Sequence, residues 1–356
     1  MKKIITSVLC ASISSPAFAI IELTDNLSLS GFGSTSWATS DHDSALMINR
    51  NINDDNCFDC DTTFGVQLDY YYDSFRTSIQ VVKRPQDHWS DPQLEWAYIG
   101  YEFGEFDFTA GRLRLPLFLA SEYYYVGQAY MTARPPTEVY NSVLGITAFN
   151  GLKVSWNYEL NDETNLQLTP FYGIKDDNDV DFNSTVTFEF ETDKMYGANV
   201  QISGDTYRWN LAYLNSTFDQ DTIIEGIPKP ISRRDQNIKL WSLGTEYEFN
   251  QFIFTAEGQI SDFSSSMYTS LGYHFGPFTP YVVYGAQFDS NEHLKGNSYL
   301  MGVDYDVLPN ISINGEIQYF EARAASTTDL NSSFLTFGSA PADEAWVYTI
   351  MLSFVF

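Results

Sequence analysis

Six basic residues lie close together in a chain that is otherwise strongly acidic. Residues 74–138 hold six basic and eight acidic side chains, whereas the whole chain has 19 basic and 46 acidic residues and a formal net charge of −27. An arginine stays charged at every physiological pH, so such a group can attract anions or neutralise neighbouring carboxylates. Both interpretations fit the sequence. The basic residues are Arg76, Lys83, Arg84, Arg112, Arg114 and Arg134.

Covalent catalysis is not indicated by the remaining polar residues. The histidines His42, His88, His274 and His293 belong to no recognisable catalytic motif, and the sequence contains no GxSxG pattern. We therefore predict that the protein is not an enzyme and that it requires no cofactor and no metal. The acidic excess also argues against binding to nucleic acid, because proteins that do so present a basic surface.

The start of the chain has the features of a signal peptide. A basic end and an apolar stretch precede a small-residue cleavage site that ends at Ala19. We predict that residues 1–19 are removed on export and that residues 20–356 form the folded domain. Loss of the two lysines near the start leaves 17 basic against 46 acidic residues, a net charge of −29.

Export also bears on Cys57 and Cys60, which lie in an acidic stretch of the chain. An oxidising compartment favours a disulfide between them. A catalytic redox motif would need a helix N-terminus within a βαβ unit, and the sequence indicates no such unit. We predict a disulfide that staples a loop.

The end of the chain alternates between large apolar residues and smaller ones. From Trp346 to Phe356 every second residue is large and apolar, and a β-strand places such a set on one face. In a soluble sheet this ladder would form an edge prone to aggregation. In a closed barrel within a bilayer the same face contacts lipid and no edge is free.

Similar alternation recurs along the chain, with carboxylates on several polar faces. Aromatic residues make up 16% of the sequence, yet the mean hydropathy is −0.22, as expected of strands that contact lipid on one side and water on the other. We predict an all-β protein, a transmembrane antiparallel up-and-down β-barrel of sixteen strands. The predicted strands are 27–38, 63–72, 75–84, 93–103, 106–114, 151–160, 164–173, 194–203, 206–216, 237–249, 251–262, 266–275, 278–288, 297–307, 310–322 and 345–356.

The third long connection, residues 115–150, is rich in aromatic and apolar residues, unlike a flexible surface loop. Connections of this length inside a compact fold are usually functional. With the motif AGRLRLPLFL that leads into it and the barrel pattern of residues 20–356, it resembles the trimeric porins of Gram-negative bacteria. The resemblance implies that this loop folds into the barrel and narrows it. An extracellular flap or a contact between subunits is the alternative role for the loop.

The resemblance also implies a location and partners. The protein would be a multi-pass barrel of the Gram-negative outer membrane and a homotrimer in contact with membrane lipid and lipopolysaccharide. The barrel-assembly machinery would recognise the terminal strand, in which Tyr348, Phe354 and Phe356 share the apolar face.

In porins, arginines on the wall oppose carboxylates on the inserted loop. Even spacing with Ser78 and Gln80 favours a lumen-facing position for Arg76 and Arg84, while Arg112 and Arg114, two residues apart, are expected to share a face. The opposite face, with Leu113 and Leu115, suits lipid. The residues predicted to line the constriction are Arg76, Arg84, Arg112, Arg114, Glu122, Arg134 and Glu138.

Two functions remain open from the sequence. The first is passive diffusion of small hydrophilic solutes and ions. The second is a substrate-specific channel for organic anions or sugars, in which aromatic rings of the third loop stack against the solute. The candidate rings are Tyr123, Tyr124, Tyr125 and Tyr130.

Overall fold

The computed structural model describes residues 20–43, 45–47, 50–85, 91–143, 147–183, 185–323 and 344–356. The predicted signal peptide with its cleavage site at Ala19 lies outside these residues, as does His88. Among the described residues, no helix has both the length and the apolar content needed to cross a bilayer.

The described chain is built almost entirely from β-strands, with one short helix, α1 (Thr137–Tyr140). The strands are β1 (Ile21–Thr24), β2 (Leu27–Ser40), β3 (Thr63–Tyr72), β4 (Phe75–Lys83), β5 (Gln93–Phe103), β6 (Phe106–Arg114), β7 (Ala148–Asn161), β8 (Thr164–Ile174), β9 (Asp176–Asn183), β10 (Val186–Gly204), β11 (Tyr207–Ile224), β12 (Ile231–Phe249), β13 (Phe252–Ser261), β14 (Ser264–Tyr273), β15 (Phe278–Asp289), β16 (Leu294–Leu308), β17 (Ile311–Ala322) and β18 (Glu344–Val355).

The strands form one antiparallel sheet that closes on itself, because β18 pairs with β2. Strands β8 and β9 pair with successive parts of β10, so together they take one position in the wall. The short β1 pairs with β2 in a hairpin. Sixteen strand positions therefore surround the barrel within the described residues, which confirms the predicted fold and strand number.

Tight turns join successive strands at one end of the barrel. The backbone is left-handed at Asp73, Gly104, Asn250 and Gly276, which follow β3, β5, β12 and β14. Glycine and asparagine adopt this conformation at low cost, so the chain can reverse within a few residues. The connections at the other end are mostly longer, as the sequence predicted.

The strands β10, β11 and β12 are longer than their sequence pattern predicts. Their pairing continues outward, with Val186 opposite Ile224 and Thr222 opposite Ile231. This added part carries acidic and hydroxyl side chains among its apolar ones, which weakens the alternation from which a strand is recognised. The extra strand β9 continues the same region and pairs with β10.

The last strand shows the predicted separation of its two faces. Its large residues from Trp346 to Leu352 are exposed at every second position, between 36% and 53% of their surface. The residues between them, such as Val347 and Thr349, are buried on the other face. In a closed barrel the exposed aromatic face points outward and the buried face points towards the interior.

The first and last wall strands meet closely at the chain end. The amide of Gly31 donates to the Phe356 carbonyl at 2.7 Å, and the Phe356 amide donates back to Gly31 at 2.8 Å. The Phe356 ring covers Gly31, so that any side chain at this position would collide with the ring. The ring also stacks with Phe64, with 6.2 Å between centroids. Phe356 therefore helps to close the barrel.

Candidate functional site

The connection between β6 and β7, residues 115–147, is called here the third-loop segment. Its first part is bound to the buried faces of three neighbouring strands. Asn210 of β11 and Ser242 of β12 both donate to the Leu117 carbonyl, at 3.1 and 2.5 Å. The amide of Leu119 donates to Glu257 of β13 at 2.7 Å. Backbone groups of the segment are thus satisfied by side chains of the wall.

A later part of the third-loop segment is bound to β17. The Ala133 amide donates to Glu316 at 2.7 Å, and Asn314 donates to the Met131 carbonyl at 2.8 Å. Glu316 and Asn314 are almost fully buried. The segment therefore contacts wall strands far apart in the sequence and in the order of the sheet.

A large apolar cluster joins the segment to the wall. It includes Leu113 and Leu115, which are 1% and 2% exposed, so the prediction that they face lipid is wrong. The alternation of β6 explains the error, because Phe106 and Phe108 are exposed and Leu113 continues the inner face of Thr109. Gly111 lies on the same inner face with a φ of 140°, and a side chain there would collide with the Ala97 carbonyl. Other members are Leu117, Phe118, Val139, Tyr140, Val143, Phe149, Phe171, Met195, Leu214 and Leu240.

Arg84 and Arg114 share one buried carboxylate, that of Glu95. Arg84 lies 2.5 Å from one Glu95 oxygen, and Arg114 forms a close ion pair with the other. The ring of Tyr125 packs against both guanidinium groups, 5.1 Å from Arg114 and 6.0 Å from Arg84. Burial raises the pKa of Tyr125 to about 12. These two arginines are therefore held inside the protein by one carboxylate, which offsets one of their two positive charges.

Arg112 binds different partners from Arg114. Its guanidinium donates to both oxygens of Asp176, at 2.9 and 3.0 Å, and to Asn178 at 3.2 Å. Arg112 and Arg114 therefore bind separate acidic groups, and the expectation that they share one face of the constriction stays a prediction.

Arg134 connects the third-loop segment to the first long loop, residues 41–62. Asp61 accepts a hydrogen bond from Arg50 at 2.7 Å and one from Arg134 at 3.4 Å. Burial alone would raise the pKa of Asp61, but the two guanidinium groups outweigh it and lower the pKa. Arg134 also contacts Thr349 of β18. We call Arg50, Asp61 and Arg134 the loop cross-link.

The disulfide between Cys57 and Cys60 lies directly before Asp61 of the loop cross-link in the sequence. The two sulfur atoms are bonded, and the Cα atoms are 5.9 Å apart. The disulfide closes a short turn next to Asp61. Nearby, Leu46 and Ile52 of the same loop are fully buried against the inner face of the wall.

Arg76 and Glu122 line a cavity of about 460 Å³. Arg76 forms an ion pair with Asp107 and another with Glu102 at 3.2 Å. Glu122 lies 3.2 Å from Lys153, which lowers the pKa of its carboxyl group. The sequence pattern assigns Lys153 no role, because nothing local connects it to Glu122.

Glu138 lies away from the arginines that it was predicted to face. Its carboxylate is 1% exposed and contacts Ser298 of β16, while its backbone carbonyl accepts from Gln287 at 3.3 Å. Burial raises the pKa of this carboxyl group. The turn of helix α1 points it towards β15 and β16, a direction that spacing along the sequence does not determine.

A second cavity, of about 560 Å³, is strongly acidic. The lining of this cavity includes the guanidinium group of Arg208. This group donates to the Tyr123 hydroxyl at 2.6 Å and lies 3.4 Å from Glu246. The alternation of β11 placed Arg208 on the polar face, but its partner on the third-loop segment is 85 residues away. The carboxylates of the lining are Glu246, Glu248, Asp304 and Asp306.

The four candidate tyrosines divide into two pairs. Tyr123 and Tyr130 line the second cavity. Tyr124 stacks on Tyr140 with 5.6 Å between ring centroids and meets Tyr125 edge-on at 4.9 Å. Tyr123 and Tyr130 are therefore the rings open to a solute, whereas Tyr124 and Tyr125 belong to the packing of the segment.

A sequence model of the Gram-negative porin family matches residues 6–325. The chain belongs to this family. No curated protein matches the sequence.

Solved structures agree on the fold of this porin. OmpF of Salmonella typhi, in complex with daunomycin, matches with a TM-score of 0.61 at 13% identity, covering 94% of this chain and 100% of that one. The anion-selective porin of Comamonas acidovorans matches with a TM-score of 0.59 at 12% identity, covering 93% and 99%. OmpT of Vibrio cholerae, described in a trimer form, matches with a TM-score of 0.58 at 12% identity, covering 93% and 99%.

Family and fold together place this porin in the Gram-negative outer membrane as a multi-pass β-barrel. They indicate a channel rather than an enzyme.

Proposed function

We propose that this porin is a passive diffusion channel for small hydrophilic solutes and ions, that it catalyses no reaction, and that the third-loop segment, which ends where β7 begins at Ala148, lies in the lumen and forms its constriction. The observation that carries the proposal is the binding of the third-loop segment to buried side chains on separate parts of the wall, Glu257 of β13 and Glu316 of β17. A flap outside the barrel would not satisfy its backbone in this way.

The constriction would be charged by a different set of residues from the predicted arginine wall. Arg84, Arg112, Arg114 and Arg134 are each paired with an acidic group and do not line either of the two described cavities. The basic groups that line cavities are Arg76, Lys153 and Arg208. Charges at the narrowest part of a pore determine which ions pass.

A planar-bilayer experiment tests the proposal. Refolded protein should form channels whose conductance increases with salt concentration. Deleting residues 121–133 should raise the single-channel conductance several-fold, because the proposed constriction is removed. Deleting residues 226–229, in the connection between β11 and β12, is the control and should leave the conductance unchanged. An unchanged conductance after the first deletion would place the segment outside the conduction path.

A substrate-specific channel is the second candidate, supported by the cavity that Tyr123 and Tyr130 line. Tyrosine rings can stack against the apolar faces of sugars. The four carboxylates of that cavity disfavour organic anions, so sugars are the better candidates of the two classes. Uptake that saturates with sugar concentration would favour this function, and uptake proportional to concentration would favour simple diffusion.

We also propose a homotrimer that contacts outer-membrane lipid and lipopolysaccharide and is inserted by the barrel-assembly machinery. The exposed apolar face from Trp346 to Leu352 supports contact with lipid or a second subunit. Sedimentation in mild detergent tests the trimer, and a monomer at all protein concentrations would contradict it.

A further inference from the structure

Three residues separate the two cavities of the barrel. Leu119, Tyr123 and Arg208 line both the cavity of about 560 Å³ and the cavity of about 460 Å³. Two of them belong to the third-loop segment and one belongs to β11. A solute that moves from one cavity to the other at this point must pass these side chains.

Leu119 is fixed in place. Its amide donates to Glu257 at 2.7 Å, and its side chain lies against Gly244, where an added Cβ would be 2.7 Å from the leucine Cγ. Arg208 and Tyr123, in contrast, contact each other through their side chains. The Arg208 guanidinium donates to the Tyr123 hydroxyl at 2.6 Å, with the tyrosine ring centroid 5.8 Å from Cζ.

Arg208 has bonding capacity that its protein partners do not use. It stands opposite Glu246 in the register of β11 and β12, and the two groups are 3.4 Å apart. Among the described residues, the buried Nε of Arg208 has no hydrogen-bond acceptor. Because this N–H is buried, it can bind an oxygen of a passing solute only when the Arg208 side chain moves.

The cavities on the two sides of Arg208 differ in charge. The larger one carries the carboxylates of Glu246, Glu248, Asp304 and Asp306. The smaller one contains Arg76 and Lys153 as well as carboxylates. The positive charge of Arg208 therefore lies at the boundary between an acidic compartment and a mixed one.

We infer that Arg208 is a specificity-determining residue of the channel and that, with Tyr123, it forms a side-chain divider between the two compartments. The inference rests on the proposed diffusion function. Arg208 slows small cations at this boundary and offers a hydrogen-bond donor to solutes that carry an anionic or carbonyl oxygen. Movement of the two side chains, without movement of the backbone, opens the passage.

Four variants in planar bilayers test the divider. Arg208→Ala should raise the single-channel conductance and increase the cation-to-anion permeability ratio by about tenfold in dilute salt, because one unit charge at roughly 6 Å in water changes the local level of cations and of anions by about threefold each, in opposite directions. Arg208→Lys should keep the permeability ratio near that of the native channel. Tyr123→Phe should raise the conductance with little change in the ratio. Arg233→Ala, a charge removed from an exposed site on β12, is the matched control.

Screening provides a second signature. The Debye length falls from about 10 Å at 0.1 M salt to about 3 Å at 1 M, so the effect of Arg208→Ala on the ratio should shrink at high salt. The change in electrophoretic mobility that heating causes verifies that each variant has folded.

The outcomes separate the inference from the function on which it rests. A native protein that conducts, with Arg208→Ala equal to Arg233→Ala in ratio and conductance, overturns the divider and leaves the diffusion function standing. A native protein that forms no channels overturns the diffusion function itself. If Arg208→Ala does not fold, Arg208→Lys and Tyr123→Phe decide. An altered permeability ratio in Arg208→Lys together with the native conductance in Tyr123→Phe overturns the divider. A native ratio in Arg208→Lys together with a raised conductance in Tyr123→Phe supports it.

Discussion

Glu138 shows how one buried carboxyl group can make stability depend on pH. Because burial raises its pKa in the folded protein above the ordinary value of 4.5, the folded state binds the proton more tightly than the unfolded state. The contribution of Glu138 to the free energy of unfolding is fully present below pH 4.5 and is lost as the pH rises through the pKa of the folded state. Glu138→Gln keeps the shape without the ionisation, so it should be progressively more stable than the native protein as the pH rises.

Urea unfolding in detergent between pH 4 and 8 measures this difference in the free energy of unfolding. Glu122→Gln is the control with the opposite sign, because Lys153 lowers the pKa of Glu122. Its stabilising contribution is present above pH 4.5 and is lost as the pH falls. Parallel pH profiles for the native protein and Glu138→Gln would show that Glu138 does not titrate in this range.

Single residues also mark the limit of inference from sequence. Alternation placed Arg76 and Arg208 on the polar faces of their strands, since a face follows from neighbours two positions away. The partner of each group did not follow. Glu138 contacts Ser298, and Glu122 contacts Lys153, across distances in the sequence that no local pattern spans. Leu113 was assigned to the wrong face, because the exposed face of β6 is the one that carries Phe106 and Phe108.

At the scale of elements, the loop cross-link joins the first long loop to the third-loop segment. Asp61→Asn would remove the buried carboxylate that pairs with Arg50 and Arg134, and Arg134 would keep Glu316, 3.9 Å away, as an acidic neighbour. Breaking a buried ion pair from one side costs about 3–5 kcal/mol. We expect a lower urea midpoint for this variant.

Asp55→Asn is the matched control, because Asp55 lies in the same loop and is exposed. It should leave the urea midpoint unchanged. Equal midpoints for the two variants would mean that the first loop does not stabilise the barrel through Asp61.

The seam between β2 and β18 depends on the last residue. Deleting Phe356 removes two backbone hydrogen bonds to Gly31 and the ring that covers it. We expect outer-membrane levels to fall sharply while secretion continues, as measured by fractionation. Phe356→Tyr keeps the ring and the backbone and should assemble normally.

Gly31→Val distinguishes closure of the seam from recognition of the chain end. This variant retains the terminal strand but crowds the Phe356 ring, so a loss of assembly here would indicate that closure matters in its own right. Normal outer-membrane levels after deletion of Phe356 would rule out both roles for this residue.

The strands and turns could be predicted because their sequence patterns are local. The course of a segment could not be predicted where packing against distant strands determines it. The wall strands follow from residues that alternate within ten positions, as in β18, and the tight turns follow from Asp73, Gly104 and Asn250. The third-loop segment was recognised by its length and aromatic content. Its course was not, because its backbone groups bind Glu257 and Glu316 on strands more than a hundred residues later.

At the scale of the whole molecule, net charge and local charges act together on ion preference. The chain has a formal net charge of −27, and the larger cavity contains four carboxylates and one guanidinium. Negative potential in a vestibule concentrates cations. We therefore expect a native channel that prefers cations at 0.1 M salt, as reversal potentials in a salt gradient would show.

The preference should weaken at 1 M salt, because a Debye length of about 3 Å leaves only charges beside the path effective. Glu248→Gln combined with Asp306→Asn should move the ratio towards anions at both concentrations. Asp54→Asn combined with Asp55→Asn removes two charges from an exposed part of the first long loop. Its effect on the permeability ratio should be smaller and should vanish at 1 M salt. If both pairs act alike at 1 M, the acidic cavity does not line the conduction path, and the preference arises from the surface of the barrel as a whole.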